Sequence, residues 1–313
     1  MTDINKIRAA LNSKPTAPSH LSVSQQAQFE LIHSEQIKKT KPKWLKHYTP
    51  PHSSQLPHRR KIIMALASNP SDVDAVNIAL KILDCKKSNP CRSPFCPYCR
   101  SQLQQTAIKN AQKIFAASRN NQLSFLTVLL PVTYEPNNDA AELVKKCRKS
   151  IQNIFDRNNF DYIKLYGFCE VDIKVPHLVK NQNRASEVLK PLGFDINLNK
   201  PAYLVHLHAI VDLSNSSQNA FRQSLLSAYP HPYQAVIKAF HADKTKDENI
   251  RQLANYMLKF LTLYGNNLHA DDLDAEIKYT DIFDDALIID YVKLIHSLLV
   301  QNKISSLTIS KNC

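Results

Sequence analysis

The stretch Tyr203-Leu-Val-His206-Leu-His208-Ala-Ile-Val-Asp212 decides the fold. It reads as a β-strand, and residues two apart on a strand share a face. Both imidazoles therefore point one way, while Val205, Leu207, Ala209 and Val211 point the other. That is a two-histidine metal clamp on a sheet, although a pair two apart also suits two core histidines. The preceding strand, Tyr162–Val175, alternates as cleanly. Ile163, Leu165, Gly167, Cys169, Val171 and Ile173 fall on one side; Tyr166, Phe168, Glu170 and Asp172 fall on the other. This predicts one core face and one functional or wet face. Pairing of the two strands would bring Glu170 or Asp172 beside the histidines. Two imidazoles and one carboxylate leave open positions on a divalent ion, as Lewis-acid catalysis on a phosphate requires. Tyr166 and Phe168 on the same face are candidate stacking platforms for the bases of a single strand.

Working outward, Leu123–Val132 reads as a buried strand, Asp139–Phe155 as an amphipathic helix and 176–201 as an irregular insert. Gln218–Ala228 follows as a helix, Gln234–His241 as a strand and Asp247–Tyr264 as a final helix. The order βαββαβα predicts an α+β fold: a central antiparallel sheet of ferredoxin-like βαββαβ type with helices on one face. Upstream, 71–83 reads as a helix capped by Ser71, with Ala75, Ile78, Ala79 and Ile82 inside, and Ser101–Ser118 as another. Four regions are expected: a basic, partly disordered arm over 1–61, a helical segment with a cysteine-rich module over 62–120, the core over 121–265, and an acidic helical appendage over 266–313.

Composition narrows the chemistry. Lys and Arg total 40 against 27 Asp and Glu, a formal charge of +13, so a polyanionic partner is expected. The arm 1–61 carries most of that surplus, and its six prolines argue against compact structure apart from a helix over 23–39. Only three glycines occur, Gly167, Gly193 and Gly265, and no two are close enough to build a phosphate-cradling loop. A nucleotide cofactor is excluded on that ground, so any ATP-driven unwinding of DNA must come from another protein. The start, Met1-Thr-Asp-Ile-Asn-Lys, lacks an apolar signal region, and no run is long and apolar enough to span a bilayer. A soluble cytoplasmic protein with no membrane partner is expected.

Four of the seven cysteines crowd together as Cys85-x5-Cys91-x4-Cys96-Pro-Tyr-Cys99. Four thiolates close a tetrahedral Zn²⁺ site, and the two-residue gap between Cys96 and Cys99 lets both sulfurs face one ion. Arg92 and Arg100 beside them favour the thiolate form. On the last helix, Tyr256 and Lys259 are three apart and share a face. A phenol is a poor nucleophile at neutral pH unless a nearby ammonium and a polarised phosphate assist it. Leu253, Tyr256, Met257, Phe260, Leu261 and Tyr264 also form an ordinary core stripe at helical spacing.

Together these motifs resemble the HUH endonuclease superfamily, in particular the replication (Rep) initiators of rolling-circle plasmids. Cys91-Arg-Ser-Pro-Phe-Cys96-Pro-Tyr-Cys99-Arg precedes the core, and Phe125-Leu-Thr-Val128 resembles the first family motif. Tyr166-Gly-Phe-Cys-Glu-Val-Asp172 resembles the carboxylate strand, His206-Leu-His208 the metal motif and Tyr256-x-x-Lys259 the nucleophile motif. The resemblance implies a metal-dependent, sequence-specific nuclease that nicks and joins DNA strands. A catalytic Mg²⁺ or Mn²⁺ would be held by His206, His208 and Glu170 or Asp172. Tyr256 would become a 5′-phosphotyrosine, and Lys259 would orient the phosphate. The implied partners are a single-stranded or hairpin DNA origin and a host helicase and polymerase. Lys180 and Arg184 in the insert are suited to gripping such a hairpin, or belong to a flexible loop. One departure stands out: where some members carry a water-activating glutamate four residues before the tyrosine, this chain has Gln252. A single-strand transposase of the same chemistry and a non-catalytic zinc-containing DNA-binding protein are the alternatives.

Overall fold

The computed structural model describes residues 55–69, 71–86, 88–179, 183–214, 218–258, 260, 262–265, 279–300 and 307–311. The helix expected over 23–39, most of the basic arm, Lys180 and Lys259 lie outside them. The described chain groups into two units: residues up to Ser101 with Asp284–Lys293, and Gln102–Phe283 with the residues from Leu294 onward. This partition cuts across the expected 62–120, 121–265 and 266–313 divisions.

In the first unit, α1 spans Gln55–Ala67 and α2 spans Val73–Leu83. Ala75, Ile78, Ala79 and Ile82 are buried, as their helical spacing predicts. The cap is Asp72 rather than Ser71. Its carboxylate accepts the Ala75 N–H at 3.0 Å and pairs with Lys293 at 2.8 Å. The Ser71 hydroxyl is turned instead to Asn69 at 2.6 Å. A carboxylate at the cap also complements the helix dipole. The next helix, α3 (Pro97–Ile114), which belongs to the second unit from Gln102 onward, starts earlier than the predicted Ser101, because a proline is tolerated in a first turn.

The second unit is built on a five-stranded antiparallel sheet in an α+β arrangement. In chain order its elements are β1 (Leu123–Thr133), α4 (Pro136–Arg157), β2 (Lys164–Lys174), α5 (Pro176–Val179), α6 (Asn183–Leu189) and β3 (Ala202–Asp212). Then come α7 (Gln218–Ala228), β4 (Ala235–Ala239), α8 (Lys246–Met257) and the short pair β5 (Leu263–Gly265) and β6 (Tyr279–Ile282); after them follow α9 (Asp285–Val300), whose residues up to Lys293 belong to the first unit, and β7 (Thr308–Lys311). The strand order is β4-β1-β3-β2-β7. Of the expected acidic appendage, residues 266–278 lie outside the described residues. Its last strand joins the sheet edge beside β2, and α9 buries Leu287, Ile288, Tyr291, Val292, Leu294 and Ile295.

Helices cover both faces of the sheet, not one. On the first face, Tyr166 of β2 receives a hydrogen bond from Asn110 of α3 at 3.3 Å, and α8 lays Tyr256 on Phe125 and His208. On the opposite face, α4 carries the buried Cys147 to the side of Cys169, and Phe155 of α4 packs edge-on against Phe221 of α7 with ring centroids 5.9 Å apart. Strand alternation separates the two faces but does not say which is covered. Here β3 is buried at all its positions and β2 at nearly all.

The insert is not irregular. Val179, Val188, Leu189, Leu192 and Phe194 form an apolar cluster with Leu129, Ala202 and Leu204. It packs on the face that carries the histidines, because Leu129 lies directly opposite His206 in the ladder. The last helix ends at Met257, well short of the predicted Tyr264, and Phe260 then takes a left-handed backbone (φ 39°) with its ring buried. A positive φ of this kind stops a helix, usually at glycine. The expected helix face shared by Tyr256 and Lys259 falls outside the described residues at position 259. Among the described residues, no helix is long and apolar enough to cross a membrane.

Among the described residues, Gly167 is the glycine at a close strand approach. A Cβ there would collide with the His208 carbonyl oxygen and with Cα and Cβ of Ala209. Backbone cannot yield as a flexible side chain can, so Gly167→Ala is expected to destabilise the chain by ~2–3 kcal/mol. Denaturant unfolding measures this as a lower midpoint at unchanged slope.

Candidate functional site

The pairing of β2 with β3 sets Glu170 directly opposite His206 and Phe168 opposite His208. On the other side of β3, β1 sets Leu129 opposite His206 and Thr127 opposite His208. The Glu170 carboxylate oxygen Oε2 lies 3.9 Å from Nε2 of His206 and 3.9 Å from Nε2 of His208. All three side chains are buried. Each separation is shorter than twice a metal–ligand bond of ~2.1 Å, so one ion fits between the three atoms. The rings of His206 and His208 stand at right angles with centroids 4.5 Å apart, which turns their nitrogens toward one point.

The imidazole of His208 is fixed from behind. Its Nδ1 is hydrogen-bonded to Thr127 Oγ1 at 3.1 Å, and Phe125 stacks on the ring at 5.4 Å with a tilt of 15°. With Nδ1 engaged, Nε2 is the nitrogen left facing Glu170, the arrangement that orients a metal-binding histidine. Asp172 does not join the group. It lies opposite Leu204 and pairs with Lys174 at 2.8 Å. Two residues along a strand carry it ~7 Å past Glu170.

Tyr256 stands over this centre. Its ring meets that of His208 edge-on with centroids 5.0 Å apart and that of Phe125 at 6.1 Å. It is partly exposed, unlike the two histidines and Glu170. Both ends of α8 are anchored. At the start, Thr245 caps the helix onto Glu248, Asn249 ties the preceding turn to Asn120 at 3.1 Å, and Lys246 donates to the carbonyls of Phe115, Ala116 and Ser118. At the end, Gln104 Nε2 donates to the carbonyls of Asn255 and Leu258, which bracket Tyr256. Gln104 and Asn249 escape sequence reading because amides in helices are common and nothing in their neighbours marks them. Gln252, one turn before Tyr256, accepts from Lys244 Nζ at 3.0 Å.

Tyr166 and Phe168 are 5 % and 2 % exposed and pack on one another edge-on at 5.4 Å. They are interior residues under the covering helices, and no base can reach their faces. Arg184 falls in α6.

In the first unit, the sulfurs of Cys85, Cys91, Cys96 and Cys99 all lie within 4.8 Å of one another. Cys99 Sγ is 3.6 Å from Cys85 Sγ and 3.5 Å from Cys91 Sγ. That is far beyond the ~2.05 Å of a disulfide. It is close to the ~3.8 Å edge of a tetrahedron with ~2.3 Å zinc–sulfur bonds. The irregular spacing is absorbed by a turn closed between Lys86 and Asn89 and by a left-handed Arg92 (φ 57°). That backbone aims the Arg92 N–H at Cys99 Sγ (3.3 Å), while the Cys91 N–H meets Cys85 Sγ at 3.4 Å. Hydrogen bonding within the quartet, with Cys85 the chief partner, drives the Cys96 thiol far down and pushes Cys91 and Cys99 up. The donor set and its spacing fit a structural ion.

Two outcomes follow. Removal of bound zinc by a chelator, or Cys96→Ser, is expected to release about one metal equivalent and lower the unfolding midpoint by ~10 °C, read by atomic absorption and calorimetry. Thr127→Val is expected to weaken divalent-ion binding at Glu170, His206 and His208 by ~10-fold or more while leaving zinc content unchanged, read by calorimetric titration.

Comparison with protein-family models, with curated proteins and with solved structures finds no match to this chain.

Proposed function

We propose that this chain is a metal-dependent endonuclease that nicks and rejoins single-stranded DNA through Tyr256, acting as the initiator of plasmid rolling-circle replication. The observation that carries the reading is the edge-on packing of Tyr256 against His208, on the sheet face that gathers Glu170, His206 and His208. The strand order β4-β1-β3-β2, with α4 between β1 and β2 and α7 between β3 and β4, supports a ferredoxin-like core with β7 added.

A Mg²⁺ or Mn²⁺ held by Glu170, His206 and His208 would polarise the scissile phosphate and draw charge from its oxygens. The Tyr256 oxygen attacks phosphorus from the exposed side of the centre. The new bond is the phenol ester and the broken bond is that to the 3′ oxygen; the phenol gives up its proton to solvent, the leaving oxygen takes one up from solvent, and the resulting 3′-OH primes synthesis. Because the ester keeps the bond energy, the strand is rejoined by the reverse attack without ATP. The fixed position of the ring supplies orientation that a free phenol lacks. Lys259, close in sequence to Tyr256, is assigned to the phosphate. The amide of Gln252 accepts a hydrogen bond from Lys244 and does not activate water, so the cycle ends by strand transfer rather than hydrolysis. Unwinding and synthesis fall to a host helicase and polymerase.

A second reading also has an observation in its favour. Glu170, His206 and His208 are each less than a tenth exposed, which suits an ion of purely structural role in a zinc-containing DNA-binding protein. The two readings part in one experiment. With Mn²⁺ and single-stranded origin DNA, the full chain is expected to form a covalent adduct that resists denaturing electrophoresis. Tyr256→Phe is expected to abolish it, and Glu170→Gln to reduce it by ~100-fold or more. Absence of any adduct with cognate DNA selects the structural reading. Dependence of a plasmid's replication on the intact gene separates initiator from transposase.

A further inference from the structure

With Tyr166 and Phe168 buried, the strand that meets Tyr256 needs another track. We propose that the outer edge of β4 and the turn before it form that track, with Tyr233 stacking on a base and Lys238 contacting a backbone phosphate of single-stranded DNA. The inference deepens the reading of the Tyr256 site and rests on it.

Four observations point there. Strand β4 is the edge of the sheet, and among the described residues it pairs with β1 alone. Lys238 lies directly opposite Phe125 in that pairing, and directly opposite residues share a face. Its side chain thus leaves the sheet on the same side as Phe125, whose ring touches that of Tyr256. Tyr233 is 49 % exposed, which leaves its ring open to a stacking partner. Its backbone is left-handed (φ 60°), which costs a tyrosine energy that a glycine would not pay.

That turn is held tightly to the site. The Gln234 N–H donates to the His231 carbonyl at 3.1 Å and closes the turn. The buried Gln234 side chain donates to the Leu129 carbonyl at 3.1 Å, and the Leu129 N–H donates to the Gln234 carbonyl at 2.8 Å. Leu129 is the residue opposite His206. Tyr233 is therefore displayed beside Gln234, which is tied through both backbone and side chain to Leu129 of β1. From Tyr233 to Lys238 the chain covers at most ~17 Å, within the few nucleotides of a small single-strand site. An aromatic face and a cation along one edge are the two elements such sites combine, and the chain's net charge of +13 suits a polyanion.

The test is fluorescence anisotropy of the full chain with a labelled oligothymidine of about twenty nucleotides, without added Mg²⁺ or Mn²⁺ so that cleavage does not intervene and the cysteine-bound ion is left in place. Tyr233→Gly relieves the backbone cost while deleting the ring, so a loss of binding cannot come from a damaged fold. It is expected to weaken binding ~10-fold, and Tyr233→Phe to retain it. Lys238→Ala is expected to flatten the slope of log affinity against log salt by ~0.7, and Lys238→Arg to restore it. Wild-type affinity and salt slope in Tyr233→Gly and Lys238→Ala, or no binding of the oligothymidine by the unaltered chain, overturns the proposal. The Tyr256 adduct is read separately. An adduct with unaltered binding in both variants sinks the track and leaves the nicking reading standing. Weakened binding with no adduct does the reverse.

Discussion

The register of β2 against β3 is the constraint on which the site depends. Side chains alternate along a strand, so a slip of one residue would send Glu170 to the opposite face from His206 and His208. Gly167 holds the register from within: only a residue without a Cβ lets β2 approach the His208 carbonyl and Ala209 so closely. Once that ladder is set, the remaining neighbours follow. Leu129 falls opposite His206, Thr127 opposite His208, and Lys238 opposite Phe125. The candidate metal centre is less a pocket assembled from loops than a consequence of antiparallel pairing across three strands.

This explains what could be read in the sequence and what could not. The shared face of His206 and His208, and the presence of a carboxylate from the preceding strand, depend only on a period of two. The choice between Glu170 and Asp172 depends on register, which no strand pattern specifies until its partner is known. The coverage of a face depends on where helices pack, so Tyr166 and Phe168 looked available when α3 and α8 in fact lie over that side. The early end of α8 was hidden for a related reason. Leu261 and Tyr264 continue the apolar spacing, but the chain turns at Phe260, a non-glycine residue that gives no stop signal. The cysteines converge despite uneven gaps, because a closed turn and one left-handed residue take up the slack.

Burial gives the histidine centre its chemical sense. A carboxylate removed from water is costly unless a charge or strong donors meet it. Here Oε2 of Glu170 faces two imidazole nitrogens at 3.9 Å, too long for hydrogen bonds and well suited to an intervening ion. A cation turns three expensive polar groups into mutual support, and the apolar insert packed beside Leu129 and Leu204 keeps that side of the centre dry. Low dielectric strengthens the ion's pull on any anion that reaches it.

In the proposed reading the substrate approaches from the opposite side, where Tyr256 is partly exposed. In the proposed reaction the nucleophile must be held to about half an ångström to exploit such a centre. Helix α8 meets that demand by being fixed at both ends to elements of its own unit. Asn249 and Lys246 lock its start to the turn at Asn120 and to the carbonyls after α3, and Gln104 takes hold of the carbonyls on either side of Tyr256. A core tyrosine needs no such clamp, because apolar packing tolerates small shifts. Two independent sets of hydrogen bonds converging on one short helix make sense when the angle of a single ring against His208 matters.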